Sequence, residues 1–166
     1  MTESVFITGG NGFVGRAIVN ALKEKHPHWV ITIFDLQVSE KERPGVSYEL
    51  GNITIGAEVD LTFVQIKPPA IIHTAGTVPL LASRYGKKDR DRIFYVNVKG
   101  TRNILTAAKR HWVKAFVWTS SFTAVADGLW FQYPNIDETW PTSIHSLVYG
   151  ELMAKVLLVL DDTPSE

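Results

Sequence analysis

The stretch "SVFITGGNGFVG", residues 4–15, decides the fold of this chain. "SVFIT" (4–8) is a short, β-branched apolar run, which predicts a buried parallel strand. Glycines follow at positions 9, 10, 12 and 15, and the apolar residues between Gly12 and Lys25 recur at helical spacing. Gly9 allows a tight turn, Gly12 lets the backbone approach a ligand, and Gly15 lets helix and strand pack closely. A strand, a glycine turn and a helix in this order predict a diphosphate site at the helix N-terminus, where free N–H groups and the dipole favour anions.

An acidic residue in the second predicted strand indicates which dinucleotide the site would take. "WVITIFD" (29–35) has the composition of a buried strand, and it ends at Asp35, 20 residues beyond Gly15. A carboxylate there can accept hydrogen bonds from both ribose hydroxyls of NAD, and it would repel the 2′-phosphate of NADP. The predicted cofactor is therefore NAD, in preference to NADP. A glycine turn that holds no ligand is the structural alternative.

Strand-like and helix-like segments alternate along the rest of the chain. We predict a third strand within 47–53, a helix over 57–66, a strand over 69–76, a long helix over 90–111, a strand over 113–121 and a helix over about 146–160. In the first helix the residues that recur at helical spacing are Phe13, Ala17, Ala21 and Leu22. The long helix is predicted to have an apolar face of Phe94, Val98, Ile104, Leu105 and Ala108. Such alternation builds a parallel sheet covered on both faces. We therefore predict an α/β fold, a Rossmann-like doubly wound sheet of about five strands in three αβα layers, in one domain over 1–166.

The composition excludes several functional classes. The chain has 166 residues, 45% of them hydrophobic and 20% charged, with a formal net charge of zero and no cysteine. These values are ordinary for a soluble domain, give no indication of a nucleic-acid partner, and exclude disulfide and thiolate chemistry. No signal peptide is seen, and no run approaches the ~18 apolar residues of a membrane span. We expect a cytoplasmic protein without a metal site.

The glycine motif and three later segments resemble the extended branch of the short-chain dehydrogenase superfamily. The spacing G-x-x-G-x-x-G in "TGGNGFVG" (8–15) is typical of that branch, and "GNI" (51–53) looks like its Gly-Asp-hydrophobic element, which contacts adenine. "IIHTAG" (71–76) resembles the strand end beneath the cofactor, and "YVNVKGT" (95–101) the element whose asparagine braces the site. Besides the glycines and Asp35, the resemblance implies cofactor contacts by Asn11, Phe13, Asn52, Ile53, His73, Ala75, Gly76 and Asn97.

Three of these residues have alternative interpretations. Asn52 replaces the usual acid, but its amide can still hydrogen-bond to a base edge. A structural role is favoured for His73, because a single imidazole at a strand end has no visible partner. Asn97 could equally satisfy buried backbone groups.

The catalytic segments resemble one group within the superfamily. "FVWTSS" (116–121), the following "FTAVADG" and "IDETWP" (136–141) are similar to the 3β-hydroxysteroid dehydrogenase and sterol-4α-carboxylate 3-dehydrogenase group, especially its fungal members. The match implies that Ser121, with Ser120 as the alternative, orients the substrate alcohol and that Tyr149 is the catalytic base. The family's lysine, four residues after the tyrosine, is Met153 here. Lys155 does not replace it, since six residues along a regular helix rotate it about 120° away from the tyrosine.

The resemblance implies an NAD-dependent dehydrogenase that oxidises a ring 3-hydroxyl of a sterol- or terpenoid-like alcohol, with peripheral association with the endoplasmic reticulum left open. Two alternatives remain: a dinucleotide-binding or interaction module that does not catalyse, and a sugar-nucleotide epimerase or dehydratase. Extended-branch proteins are longer than this chain, so we expect that it is truncated and lacks the C-terminal substrate domain. The apolar "LMAKVLLVL" (152–160) would then favour self-association.

Overall fold

The computed structural model of the chain describes residues 3–38, 43–78 and 90–121. Its elements, in chain order, are β1 (Ser4–Thr8), α1 (Phe13–Lys25), β2 (Val30–Asp35), β3 (Val46–Leu50), α2 (Gly56–Ile66), β4 (Ala70–His73), α3 (Arg90–Ile93), a π-helical segment (Phe94–Gly100), α4 (Thr101–Arg110) and β5 (Ala115–Trp118). These elements fall into two compact units. The first unit holds the five strands, α1, α2 and residues 103–119, and the second holds residues 76–78, 90–102 and 120–121.

The first unit is built on a parallel sheet of five strands in the order β3-β2-β1-β4-β5. Because the strands are parallel, each connection must cross over. Among the described residues, helices lie in the connections from β1 to β2, from β3 to β4 and from β4 to β5. The order reverses between β1 and β4, which places a topological switch point at the carboxyl end of β1. The predicted Rossmann-like αβα fold is confirmed.

Successive side chains of β1 point to opposite faces of the sheet, and each face is covered by helices. Val5 and Ile7 pack with Ile31, Ile33 and Val19 of α1 in one buried cluster. On the other face, the Phe6 ring lies 5.7 Å from the Phe34 ring and 5.2 Å from the Phe63 ring of α2. Both faces of the central strands β1 and β2 are therefore apolar and buried, as expected for a doubly wound sheet.

The apolar repeat noted for α1 coincides only in part with the face that is buried. The helix forms over the expected residues, but Phe13 is 88% exposed, and Ala17 and Ala21 are exposed as well. The residues that α1 turns toward the sheet are Gly15, Ile18, Val19 and Leu22. Both sets have helical spacing and share Leu22, and the sheet buries the set that also contains Ile18, Val19 and the small Gly15.

The long helix predicted over 90–111 is not one regular α-helix. Its middle turn, Phe94–Gly100, is π-helical, and this changes which side chains share a face. Val98, Ile104, Leu105 and Ala108 are buried as predicted, but Phe94 is 36% exposed. No helix within the described ranges is long and apolar enough to cross a membrane.

Candidate functional site

The turn between β1 and α1 requires glycine at Gly9. Gly9 has a φ of 71°, in the left-handed region, and its N–H donates to the Phe34 carbonyl at 2.9 Å. A Cβ atom on Gly9 would lie 2.7 Å from the backbone N and Cα atoms of Ala75. The backbone of Ala75, two residues after β4, therefore lies so close to the turn that no side chain fits between them.

Gly15 and Gly12 differ in what surrounds them. A Cβ atom on the buried Gly15 would collide with the Gly9 carbonyl oxygen and lie 2.7 Å from the Cα atom of Gly10. A Cβ atom on the exposed Gly12 would meet only the Gly9 carbonyl oxygen, at 3.1 Å. Gly15 thus allows α1 to pack against the turn, whereas Gly12 is exposed and places no side chain over the turn.

The N-terminus of α1 presents unused hydrogen-bond donors to this space. The first N–H that bonds into the helix belongs to Arg16, which donates to the Gly12 carbonyl at 3.0 Å. The N–H groups of residues 13–15 have no acceptor within the described residues, and the first turn carries no acid or side-chain cap. Free N–H groups and the positive end of the helix dipole together can bind the diphosphate of a dinucleotide.

Asp35 lies beside this helix terminus. Its Oδ2 atom accepts the N–H of Asn11 at 3.0 Å, while the Asn11 side chain donates to the Gln37 carbonyl at 2.5 Å. Asn11 therefore holds the glycine turn against the carboxyl end of β2. The Oδ1 atom of the half-buried Asp35 accepts no hydrogen bond within the described residues, so it can accept one from a ligand hydroxyl.

Asn52 follows β3, next to Asp35 along the same sheet edge. Its Oδ1 accepts both the N–H and the hydroxyl of Thr54, each at 2.9 Å, which orients the amide. The Nδ2 group remains a donor for a base edge. The backbone around Asn52 is held on both sides, since Glu58 accepts the Asn52 N–H at 2.8 Å and Asn103 donates to the Ile53 carbonyl at 2.8 Å.

Glu58 and Asn103 were not among the predicted site residues. The side chain of Ile53, which was among them, is buried, and the hydrogen bond from Asn103 goes to its carbonyl. Glu58 could have been found, because an acid in the first turn of a helix commonly accepts hydrogen bonds from the preceding loop. Asn103 is 50 residues from Ile53, so the sequence offers no local signal for it.

His73 is a buried support of the site. Its side chain is inaccessible to solvent, and its Nδ1 atom lies 2.5 Å from the Thr8 hydroxyl. That hydroxyl also accepts the Ala75 N–H at 3.3 Å, so its own proton is available to Nδ1. Burial lowers the pKa of His73 from 6.5 to about 4, which keeps the imidazole neutral. The geometry agrees with the structural interpretation, and Thr8, just before the glycine turn, is the partner that the sequence did not reveal.

The second unit contains the predicted bracing asparagine. Asn97 is buried in the π-helical segment, accepts the Thr77 N–H at 2.8 Å and donates to the Thr77 carbonyl at 2.9 Å. Its own carbonyl accepts the Thr101 hydroxyl at 2.6 Å. A Cβ atom on Gly76 would lie 3.4 Å from the Asn97 Oδ1. Asn97 therefore fixes the backbone of the loop after β4, and π-helical turns are frequent at functional sites.

The predicted catalytic residues are only partly covered by the structure. Ser120 is exposed and Ser121 half-buried, directly after β5 and Thr119. Tyr149 and Met153, and the helix predicted around them, lie outside the described residues. Within the described part of the chain, no group of three or more His, Cys, Asp or Glu side chains is placed to hold a metal ion.

Comparison with known proteins decides the family. The model of the 3-beta hydroxysteroid dehydrogenase/isomerase family matches residues 6–155. The chain belongs to this family. The sterol-4-alpha-carboxylate 3-dehydrogenase (decarboxylating) of Candida albicans is 32% identical over 161 residues, which cover 92% of this chain and 43% of the relative. The 3-beta-hydroxysteroid dehydrogenase of Mycolicibacterium neoaurum is 34% identical over 138 residues, 82% of this chain and 36% of that protein.

Solved structures of longer proteins share the fold of this family member. A short-chain dehydrogenase/reductase superfamily protein from Agrobacterium tumefaciens, solved with bound NAD, has a TM-score of 0.75 and 27% identity, over 95% of this chain and 44% of that one. The UDP-glucose 4-epimerase of Thermus thermophilus, in complex with NAD, has a TM-score of 0.80 at 24% identity, over 95% of this chain and 50% of the epimerase. The chain thus spans about half of these structures and about two fifths of the curated relatives.

Proposed function

We propose that the chain binds NAD at the β1–α1 turn and takes part in oxidising the 3-hydroxyl of a sterol- or terpenoid-like alcohol to a ketone. The observation that carries the proposal is the glycine turn. Gly12 is exposed and places no side chain in front of the free N–H groups of α1, and the Asp35 carboxylate lies beside them. The NAD bound to the relative from Agrobacterium and the names of the curated relatives support the same assignment.

The preference for NAD over NADP rests on Asp35. Its carboxylate would accept the ribose hydroxyls of NAD and repel the added 2′-phosphate of NADP. We expect tighter binding of NAD than of NADP by the wild-type chain in a calorimetric titration, and a smaller difference for Asp35→Ala. Glu49→Ala is the matched control, because Glu49 is an acid on the neighbouring strand β3, in register with Phe34 rather than with Asp35. Equal binding of the two dinucleotides by the wild type would contradict the assignment of Asp35.

In the proposed reaction the cofactor would accept the hydride, and residues of the chain would orient the alcohol and take its proton. NAD⁺, when bound, supplies the acceptor for the hydride that leaves the carbinol carbon. By the family resemblance, the Ser121 hydroxyl holds the substrate oxygen, and the Tyr149 phenolate takes the proton from the alcohol as the carbonyl forms. An ordinary tyrosine pKa is near 10, and Met153 has no charge to lower it. The rate of oxidation should therefore keep rising with pH up to about 10, which a pH profile of NADH formation with cholesterol or another 3-hydroxysteroid would test.

A second candidate function, binding of the dinucleotide without turnover, is favoured by Met153. The two candidates differ in one measurement. If NAD binds in calorimetry but no NADH forms with a 3-hydroxysteroid at any pH, the chain is a binding module. If NAD does not bind at all, both candidates fail.

A further inference from the structure

A second pocket opens at the opposite edge of the sheet from the glycine turn. It has a volume of about 480 Å³ and lies between the C-terminal half of α1 and the turn that precedes β3. Its lining residues are Asn20, Lys23, Pro27, Arg43, Pro44 and Gly45. The volume lies within the range of small-molecule sites. None of these residues belongs to the proposed dinucleotide site.

The pocket contains two fixed cations. The Lys23 ammonium donates to the carbonyls of Pro27, at 2.8 Å, and Trp29, at 3.1 Å. The Nη1 group of Arg43 donates to the Asn20 side-chain oxygen at 3.0 Å. An ammonium has three N–H donors and a guanidinium five, so both groups keep donors for a ligand.

Among the described residues, these two charges are held by neutral acceptors only. No carboxylate of the described residues forms an ion pair with Lys23 or Arg43. The basic pair Arg110 and His111, elsewhere in the same unit, shows the opposite arrangement, because both contact the Asp60 carboxylate, at 2.8 and 3.0 Å. The pocket thus carries an excess of positive charge that an anionic ligand could compensate.

The wall of the pocket is shaped by Gly45. This residue has a φ of 69°, and a Cβ atom on it would lie 2.7 Å from the Lys23 Nζ atom. Glycine therefore lets the turn lie directly against the ammonium. The Val46 N–H donates to the Arg43 carbonyl at 3.0 Å, which closes the turn, and Pro27 and Pro44 add rigid apolar walls.

We propose that this pocket binds a phosphate monoester with a small apolar body. A phosphate dianion matches two uncompensated cations, and its oxygens can take the remaining donors of Lys23 and Arg43 in charge-assisted hydrogen bonds. The proline walls and the volume suit an organic group attached to the phosphate better than a bare ion. The proposal does not depend on the dehydrogenase function.

The test is an amide NMR titration of the ¹⁵N-labelled chain with phenyl phosphate. Binding should shift the amide signals of Lys23, Gly45 and Val46. Benzoate, with one charge, should bind more weakly, inorganic phosphate more weakly again, and neutral benzyl alcohol not at all. Arg43→Met should weaken phenyl phosphate binding by about tenfold or more, because it removes charge-assisted hydrogen bonds.

Two further variants separate a ligand site from a general charge effect. Lys23→Met should weaken phenyl phosphate binding by as much as Arg43→Met does. Lys25→Met, on the same helix but outside the pocket, should leave the affinity for phenyl phosphate unchanged. Arg43→Met keeps the test valid if Lys23→Met unfolds, since Lys23 also holds two backbone carbonyls.

Three results would overturn the proposal. One is a set of shifts confined to residues 12–15, which would place the anion at the glycine turn. Another is equal binding of inorganic phosphate and phenyl phosphate, which would indicate an adventitious ion only. The third is an equal loss of affinity in Lys25→Met.

Discussion

The buried imidazole of His73 should make the chain less stable in acid. Its pKa falls from 6.5 in the unfolded chain to about 4 in the folded chain because burial penalises the charged form. The unfolded chain therefore binds the proton first as the pH falls. The contribution to stability is complete above pH 6.5 and is lost progressively down to about pH 4.

The size of this loss follows from the two pKa values. Each tenfold change in the acid dissociation constant corresponds to about 1.4 kcal/mol, so the whole interval corresponds to roughly 3 kcal/mol. At pH 4.5 most of it, about 2–3 kcal/mol, should already be lost. This is a large share of the roughly 5–15 kcal/mol that stabilises an ordinary domain. The Thr8 hydroxyl adds to the effect, since it can donate to Nδ1 only while Nδ1 is unprotonated.

The assay is urea unfolding at pH 8 and pH 4.5 for the wild type and His73→Leu. Leucine occupies the apolar site but does not titrate, so the wild type should lose about 2–3 kcal/mol more between the two pH values than the variant does. His28→Asn is the control and should keep the wild-type pH dependence, because the His28 side chain is 69% exposed. The pKa of Asp60 is also lowered, mainly by its hydrogen bond to His111, but this carboxylate titrates equally in all three proteins. Parallel pH dependence in the wild type and His73→Leu would refute the reasoning.

Four further variants test other features of the chain. Gly9→Ala should lower the free energy of unfolding in urea by about 2–4 kcal/mol, because the φ of Gly9 is positive and the added Cβ would meet the backbone of Ala75, just after β4. Gly12→Ala should lower the free energy of unfolding by less than about 1 kcal/mol but should weaken NAD binding. Asn97→Leu removes two hydrogen bonds to the Thr77 backbone, and we expect a loss of about 2–4 kcal/mol; a loss under about 0.5 kcal/mol would contradict the bracing role. Met153→Lys should move the pH profile of alcohol oxidation to lower pH, and an unchanged profile would show that the missing lysine is not limiting.

The features that sequence analysis predicted correctly are local ones. The turn at Gly9 needs a positive φ, and the close approach at Gly15 needs a residue without a side chain. Both requirements act within a few residues, so the spacing of the glycines predicts them. The alternation of apolar strands and helices likewise predicted the parallel sheet, because a crossover connection allows few other arrangements.

The features that sequence analysis missed depend on contacts between distant residues. Thr8 and His73 are 65 residues apart, and nothing near either one in the chain indicates that they meet. The buried face of α1 was ambiguous for a related reason. Two sets of apolar residues have helical spacing, and only packing against the sheet selects the one with Val19.

The amino-acid sequence by itself determined the order of the elements, the glycine turn, the acid after the second strand and the family to which the chain belongs. The order of the elements and the glycine turn follow from hydrophobic periodicity and backbone conformation, which act over short stretches. The family follows from the similarity of the sequence to its members. Only the tertiary structure decided that His73 is a neutral buried support and that Asn52 keeps its Nδ2 group for a ligand. It also showed that Lys23 and Arg43 share one pocket, with no carboxylate among its described lining residues. Burial and charge compensation are properties of surroundings, and in this chain the surroundings come from strands and helices that are far apart in the sequence.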